Sequence, residues 1–206
     1  MASLGDMSRH IRLAEARDAA ALASIYAPSV TDSPASFEEV APDAAEMARR
    51  LAATLAVAPW LVLEDAAAAD DPAAGSLVGY AYASRHRERA AYQWSVDVTV
   101  YVRQDQHRRG VGRALYLPLF ELLRAQGFHA AHAGITLPNA ASVGLHEALG
   151  FRPVAVYPKV GWKQGAWHDV GWWQLELRPR PDLPPPTLPQ AFDAARVAAL
   201  LAAQRR

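Results

Sequence analysis

The stretch YQWSVDVTVYV, residues 92–102, constrains the fold more than any other part of this chain. Trp94, Val96, Val98, Val100 and Val102 fall on one face of an extended strand, and Asp97, Thr99 and Tyr101 take the other. So dense a period-two run of β-branched residues disfavours a helix. One face of the strand therefore carries a carboxylate inside an otherwise β-forming run. Ahead of it, SLVGYAYAS reads as a second strand, and the charged linker RHRERAA between the two predicts an antiparallel pair.

The flanking sequence supplies helices. IRL opens as a short strand before a helix in DAAALASIYAP, N-capped by Asp18 and stopped by Pro28. PDAAEMARRLAATLA predicts a second helix, with Pro42 near its first turn and Met47, Leu51 and Leu55 at helical spacing. WLVLED reads as a strand and AAAADDPAAG as a loop. After the central strand a helix is expected to start behind Gly112, run through RALYLPLFELLRAQ and stop at Gly127. A strand HAAHAGI, a loop TLPNA, a helix SVGLHEAL ended by Gly150 and two further strands follow, reaching about Leu177. Antiparallel strands followed by a strand-helix-strand crossover predict an α/β fold at the boundary with α+β, its mixed sheet flanked by helices on both faces. The expected organisation is one domain over 1–178, with a Pro-rich linker and a short C-terminal helix (191–204) in 179–206.

Charge removes several function classes. With 21 basic and 21 acidic residues the chain has no net field to draw a nucleic acid or an anionic membrane, so any basic site is local. No cysteine is present, which excludes a thiolate nucleophile, a disulfide framework and a cysteine zinc site. A cytoplasmic location is expected, because the N-terminus lacks an apolar signal core and the longest apolar run, LAATLAVAPWLVL, is interrupted by Pro59. HEALG is not a zinc motif, since HExxH would need His where Gly150 stands, and no metal is expected.

Between the central strand and the next helix lies QHRRGVGRALY, residues 106–116. Amides of 109–114 at a helix N-terminus are candidate free donors for a phosphate, Gly110 and Gly112 let the backbone approach it, and Arg108, Arg109 and Arg113 add charge. A plain strand-to-helix turn with solvated arginines is the other reading of a bare GxG. A P-loop would need GxxxxGK[ST], and a dinucleotide fingerprint would need a small residue where Leu115 stands; both are excluded.

A pyrophosphate loop of neither kind, set between a β-rich meander and a helix, resembles the acyl-CoA loop of the GNAT N-acetyltransferases, with His107 where Gln or Arg is usual. The likeness extends over roughly residues 9 to 178 through TDSPASFEEV, PWLVLED, GYAYASRHRERAAYQWSVDVTVYV, LPNAASVGLHEALGF and VGWKQGAWHDVGWWQLEL. These segments follow, in order, the pattern of the phosphinothricin and methionine sulfoximine acetyltransferases. The resemblance implies acetyl-CoA as cosubstrate, direct acetyl transfer to a primary amine in a ternary complex, and a homodimer.

It also implies roles for residues. Asp97 stands where the family places Glu and is the candidate base, one methylene shorter; a solvated strand carboxylate is the alternative. Val100, Tyr101 and Val102 would bond the pantetheine arm through their backbone, and Val111 belongs to the phosphate loop. Asn139 matches a CoA-contacting Asn, or is a helix cap; His146 falls where a proton donor to the thiolate is placed, or is a packed core histidine. Arg87 and Arg89 match basic acceptor-binding positions, a guanidinium pairing bidentately with carboxylate or phosphinate, and Phe37 and Tyr92 would wall the pocket. Lys163, Trp167 and His168 face either substrate or a partner subunit, and Trp172 and Trp173 read as core or interface. The rivals are a GNAT enzyme acting on a polyamine, an antibiotic or a protein N-terminus, and a non-catalytic acyl-CoA-binding module, for which Asp97 and His107 are the departures that speak.

Overall fold

Seven strands form one sheet in the order β1-β2-β3-β4-β5-β7-β6, and the computed structural model describes residues 9–69, 74–180 and 187–203. The strands are β1 (Arg9–Leu13), β2 (Trp60–Asp65), β3 (Leu77–Arg85), β4 (Ser95–Val102), β5 (Ala130–Leu137), β6 (Arg152–Lys163) and β7 (Ala166–Glu176). All neighbours pair antiparallel except β4 and β5, which are parallel and are joined by the crossover through α3 (Val111–Gln126). The other described helices are α1 (Ala19–Thr31), α2 (Ala44–Leu55), α4 (Ala140–Ala148) and α5 (Ala194–Ala203). The mixed, mostly antiparallel sheet with helices on both faces is the architecture the sequence predicts.

Period-two alternation decides which helix covers which face. Leu61, Leu63, Ala81, Ala83, Val96 and Val98 pack with Leu115, Leu119 and Leu123 of α3, and Val197 and Leu201 of α5 join the same core. Trp60, Val62 and Tyr80 point the other way, onto Leu22, Ile25 and Tyr26 of α1 and Met47 and Leu51 of α2. Asp97 pairs with Ser84 and Tyr101 with Tyr80, so the carboxylate lies on the face toward α1 and α2.

Two expectations at α1 change. Pro28 does not stop the helix, which continues to Thr31 and buries Val30 at 1% exposure, packing that outweighs the one helical bond the ring forgoes. Asp18 occupies the cap position without capping α1; its carboxylate instead takes two hydrogen bonds from Arg12, at 2.7 and 2.9 Å, and one from the Glu15 amide at 2.8 Å. Helix α3 begins one residue before Gly112, with Gly110 at the cap. The tail helix spans Ala194–Ala203, while part of the Pro-rich linker, residues 181–186, lies outside the described residues.

Candidate functional site

The parallel pairing of β4 with β5 covers only Ser95, Val96 and Asp97 against Ala130, Ala131 and His132. Beyond Asp97 the two strands part. The Arg103 amide donates to the Val78 carbonyl at 2.9 Å on the β3 side, and the Trp94 carbonyl accepts from His129 N–H at 2.9 Å on the β5 side. Backbone polarity alternates along a strand, so the amides and carbonyls of Val98, Val100 and Val102 face the opening. Tyr101 is the correction to that expected segment: its backbone faces β3, and its ring packs edge-on to Tyr26 at 4.7 Å.

The glycine loop lies at this opening. Arg108 (φ 62°) and Gly110 (φ 77°) both take the left-handed conformation, which turns the chain into α3. The first bond inside the helix runs from the Ala114 amide to the Gly110 carbonyl at 3.0 Å, so Ala114 is not a free donor, and the amides of Val111, Gly112 and Arg113 precede it. A Cβ on Gly112 would stand 2.9 Å from Leu145 Cδ2 and 3.9 Å from Val100 Cγ2, which puts the helix start directly against α4 and the open edge of β4. Arg108, Arg109 and Arg113 are exposed around it. His107 donates from Nε2 to the Val102 carbonyl at 3.0 Å, tying the loop back to the strand. Asn139 caps α4, its Oδ1 accepting from the Ser142 amide at 3.0 Å.

His146 is placed differently from its expected role. It is 3% exposed; its Nδ1 donates to the Ser142 carbonyl at 2.8 Å, and its Nε2 accepts from the Tyr116 hydroxyl at 3.1 Å. Burial pushes its pKa down, so it is a neutral core histidine whose one proton is already committed. As arranged it has no proton to offer a thiolate.

On the opposite face of the sheet Asp97 gathers a cluster that the sequence only partly suggests. Its Oδ1 lies 2.6 Å from His86 Nδ1, and its Oδ2 lies 4.0 Å from an Arg87 nitrogen. Burial raises the Asp97 pKa, and the His86 contact opposes that rise. His86 stacks on His132 with centroids 4.2 Å apart and 17° between planes, and meets Tyr92 and Trp172 edge-on at 5.9 and 6.0 Å. The Arg87 guanidinium sits 5.4 Å over the Trp172 ring. Arg89 is exposed at the start of the 3-10 turn Ala90–Tyr92. His86 and His132 are the residues that reasoning from sequence misses, and Trp172, read there as core or interface, joins them; the alternation of Tyr82, Ser84 and His86 was the available signal for the first. Beside Ser84 the same face opens into a cavity of about 290 Å³ lined by Tyr26, Trp60, Tyr80, Tyr82, Tyr101 and Arg50 among others. No group of three or more His, Asp or Glu among the described residues is arranged to hold a metal ion.

The loop between α1 and α2 reaches this face from above. Phe37 lies against Gly161 of β6, where a Cβ would stand 2.1 Å from the ring, and 6.3 Å from His168. Lys163, 8% exposed, donates to the carbonyls of Val30, Ser36 and Glu38 at 2.6, 2.5 and 2.7 Å. It therefore fastens the loop to the β6–β7 hairpin. Trp173 is a core residue, donating to Glu147 at 3.1 Å.

A sheet split between parallel strands, with a helix N-terminus on one side of the split and a half-buried carboxylate on the other, defines the class to which comparison with known proteins also leads. Residues 11–172 match the acetyltransferase (GNAT) domain, and the chain belongs to that family. A phosphinothricin N-acetyltransferase of Streptomyces viridochromogenes is 43% identical over 64% of this chain, a match spanning 65% of that enzyme, just under two thirds of its length. An L-methionine sulfoximine/L-methionine sulfone acetyltransferase of Pseudomonas paraeruginosa is 37% identical over 86% of the chain and 100% of its own length. Among solved structures, a GNAT superfamily phosphinothricin acetyltransferase from Sinorhizobium meliloti in complex with AcCoA superposes with a TM-score of 0.76 at 33% identity, covering 88% of this chain and 98% of that one.

Proposed function

We propose that this protein transfers an acetyl group from acetyl-CoA to the primary amine of a small L-amino-acid-like acceptor, of the phosphinothricin or methionine sulfoximine type, with both substrates bound at once. The observation that carries the reading is the opening beyond Asp97, which joins a helix start with free amides to a carboxylate across one sheet. Acetyl-CoA supplies the activated thioester. The amides of Val111, Gly112 and Arg113, helped by Arg108 and Arg109, suit its pyrophosphate, and Gly112 leaves the space a side chain would fill. Val98 and Val100 offer backbone groups to the pantetheine arm as an added strand would, and a Val100 N–H aimed at the thioester oxygen would polarise it.

The acceptor amine meets the thioester from the Asp97 face. Arg87 offers a guanidinium to its carboxylate, Tyr92 and Trp172 wall the site, and Phe37 closes it from the loop that Lys163 holds. The Asp97 centre keeps the amine deprotonated, and water at the opening protonates the departing thiolate. A homodimer belongs to the same reading: β6 is an edge strand with Val154, Val156, Tyr157, Val160 and Trp162 all 45–58% exposed, and Trp167 on β7 stands beside it. Initial rates with both substrates varied test the order of events; intersecting reciprocal lines support a ternary complex, and parallel lines refute it. Arg87→Ala should raise the acceptor KM at least about tenfold, the loss of one charge-assisted hydrogen bond.

A further inference from the structure

We propose that His86 is the group that takes up the amine proton, with Asp97 fixing its tautomer and His132 its ring plane. This deepens the acetyl-transfer reading and rests on it. Asp97 has a short side chain, and its Oδ1 is committed to His86 Nδ1 at 2.6 Å. The carboxylate can only accept in that contact, so Nδ1 carries the hydrogen and, in the neutral ring, Nε2 presents a lone pair. The imidazole thereby lengthens the reach of the aspartate by one ring, on the face that Ser84 shares with Asp97. Its neighbours are those the acceptor would meet: Tyr92 at 5.9 Å, Trp172 at 6.0 Å and the Arg87 backbone next in sequence.

The ring is also held. His132, from β5, stacks on it at 4.2 Å, in a position set by the pairing of Asp97 with His132. Burial first, and then the nearness of His86, Arg180 and Arg87, lower the His132 pKa to about 4, so His132 stays neutral and acts as a surface. The titratable and charged groups facing His86 are therefore Asp97 from β4, His132 from β5, and Arg87 and Tyr92 from its own connection, with Arg180 behind His132 and the uncharged Trp172 on β7. The acceptor ammonium sheds two protons as its nitrogen forms the amide bond; one goes to His86 Nε2 and on to solvent, and the other ends on the CoA sulfur as the carbon-sulfur bond breaks.

Two measurements test the assignment. Long-range proton-nitrogen NMR of the imidazoles, in the protein without substrates, should show His86 as the Nδ1–H tautomer, a preference lost in Asp97→Asn. In the pH profile of kcat/KM for the amine, His86→Asn, which keeps a donor toward Asp97 but has no basic nitrogen, should lose about 100-fold or more. Its acid limb should give way to a rate that keeps rising with pH, while the acetyl-CoA dissociation constant stays within about twofold. His86→Gln serves as the second variant. An Nε2–H tautomer in the wild type, or a His86→Asn profile with rate and limb retained, overturns the proposal while leaving acetyl transfer in place. A wild type without transferase activity toward any amine sinks the underlying reading and this assignment together, and the wild-type assay alone reveals that case.

Discussion

Replacing Lys163 by Met removes the ammonium that joins the end of α1, through the Val30 carbonyl, and the α1–α2 loop, through the Ser36 and Glu38 carbonyls, to the β6–β7 hairpin, while keeping most of the aliphatic stem. A hydrogen bond from a charged donor contributes about 1.5–3 kcal/mol, and each carbonyl left without a partner costs about 1–3 kcal/mol unless water reaches it. The ammonium's own desolvation, no longer required, offsets part of the loss, and we expect a net destabilisation of about 3 kcal/mol. For a chain of 206 residues this corresponds to a fall in Tm of about 6–12 °C. The same loop carries Phe37, so the acceptor KM should rise several-fold, while the affinity for acetyl-CoA, whose proposed site is at the α3 start on the other side of the sheet, should stay as before. Thermal unfolding by circular dichroism, with steady-state rates in both substrates, reads all three quantities. A Tm within about 2 °C of wild type together with an unchanged acceptor KM would refute the claim that Lys163 fastens the loop.

Gly112→Val would press on Leu145, 2.9 Å from its Cβ, and on Val100; calorimetry should show acetyl-CoA affinity weakened at least about tenfold, with a fall in stability of about 1–3 kcal/mol from the overpacking. Arg12→Met strands the buried Asp18 carboxylate and should cost about 3 kcal/mol at pH 7 in urea unfolding. Burial raises the Asp18 pKa, but the Arg12 and Glu15 hydrogen bonds more than reverse that and leave it lowered. Its stabilising contribution is thus present above about pH 4 and lost as pH falls through the folded-state value, so the gap between wild type and Arg12→Met should shrink at pH 3. Val156→Lys with Trp162→Glu should turn a dimer into monomers in light scattering; a wild type already monomeric at working concentration would contradict the role given to β6.

What the sequence makes legible here is what depends on local period. The alternation at 94–102 defines the two faces of β4, and the linker RHRERAA is short enough to require an antiparallel partner. Gly127 marks the end of α3 because it needs a positive φ, whereas the helix start falls behind Gly110, also at positive φ, and not behind Gly112 as the sequence suggests. Pro28 misleads because its local penalty is outweighed by the burial of Val30, two residues further along the same helix. The site is legible in halves. The glycine loop and Asp97 can be read from motif and alternation, but the contact between His86 and His132 exists only through the register of a parallel pair closed by a 16-residue helix. Lys163 reaches carbonyls more than a hundred residues away, which no local pattern reports. His146 carries the opposite lesson: its position in a specific motif suggests chemistry, and its surroundings of Tyr116 and Phe151 make it core.

The central claim is acetyl transfer to an amino-acid amine, and thiol release from acetyl-CoA tests it most directly, because a protein without cysteine adds no thiol of its own. Phosphinothricin, methionine sulfoximine and a panel of plain amino acids would each be offered, with the N-acetyl product identified by mass spectrometry. Thiol release dependent on one of these acceptors, matched mole for mole by its N-acetyl product and strongly reduced in Asp97→Asn, is the predicted result. Acetyl-CoA binding without acetylation of any of them would contradict it.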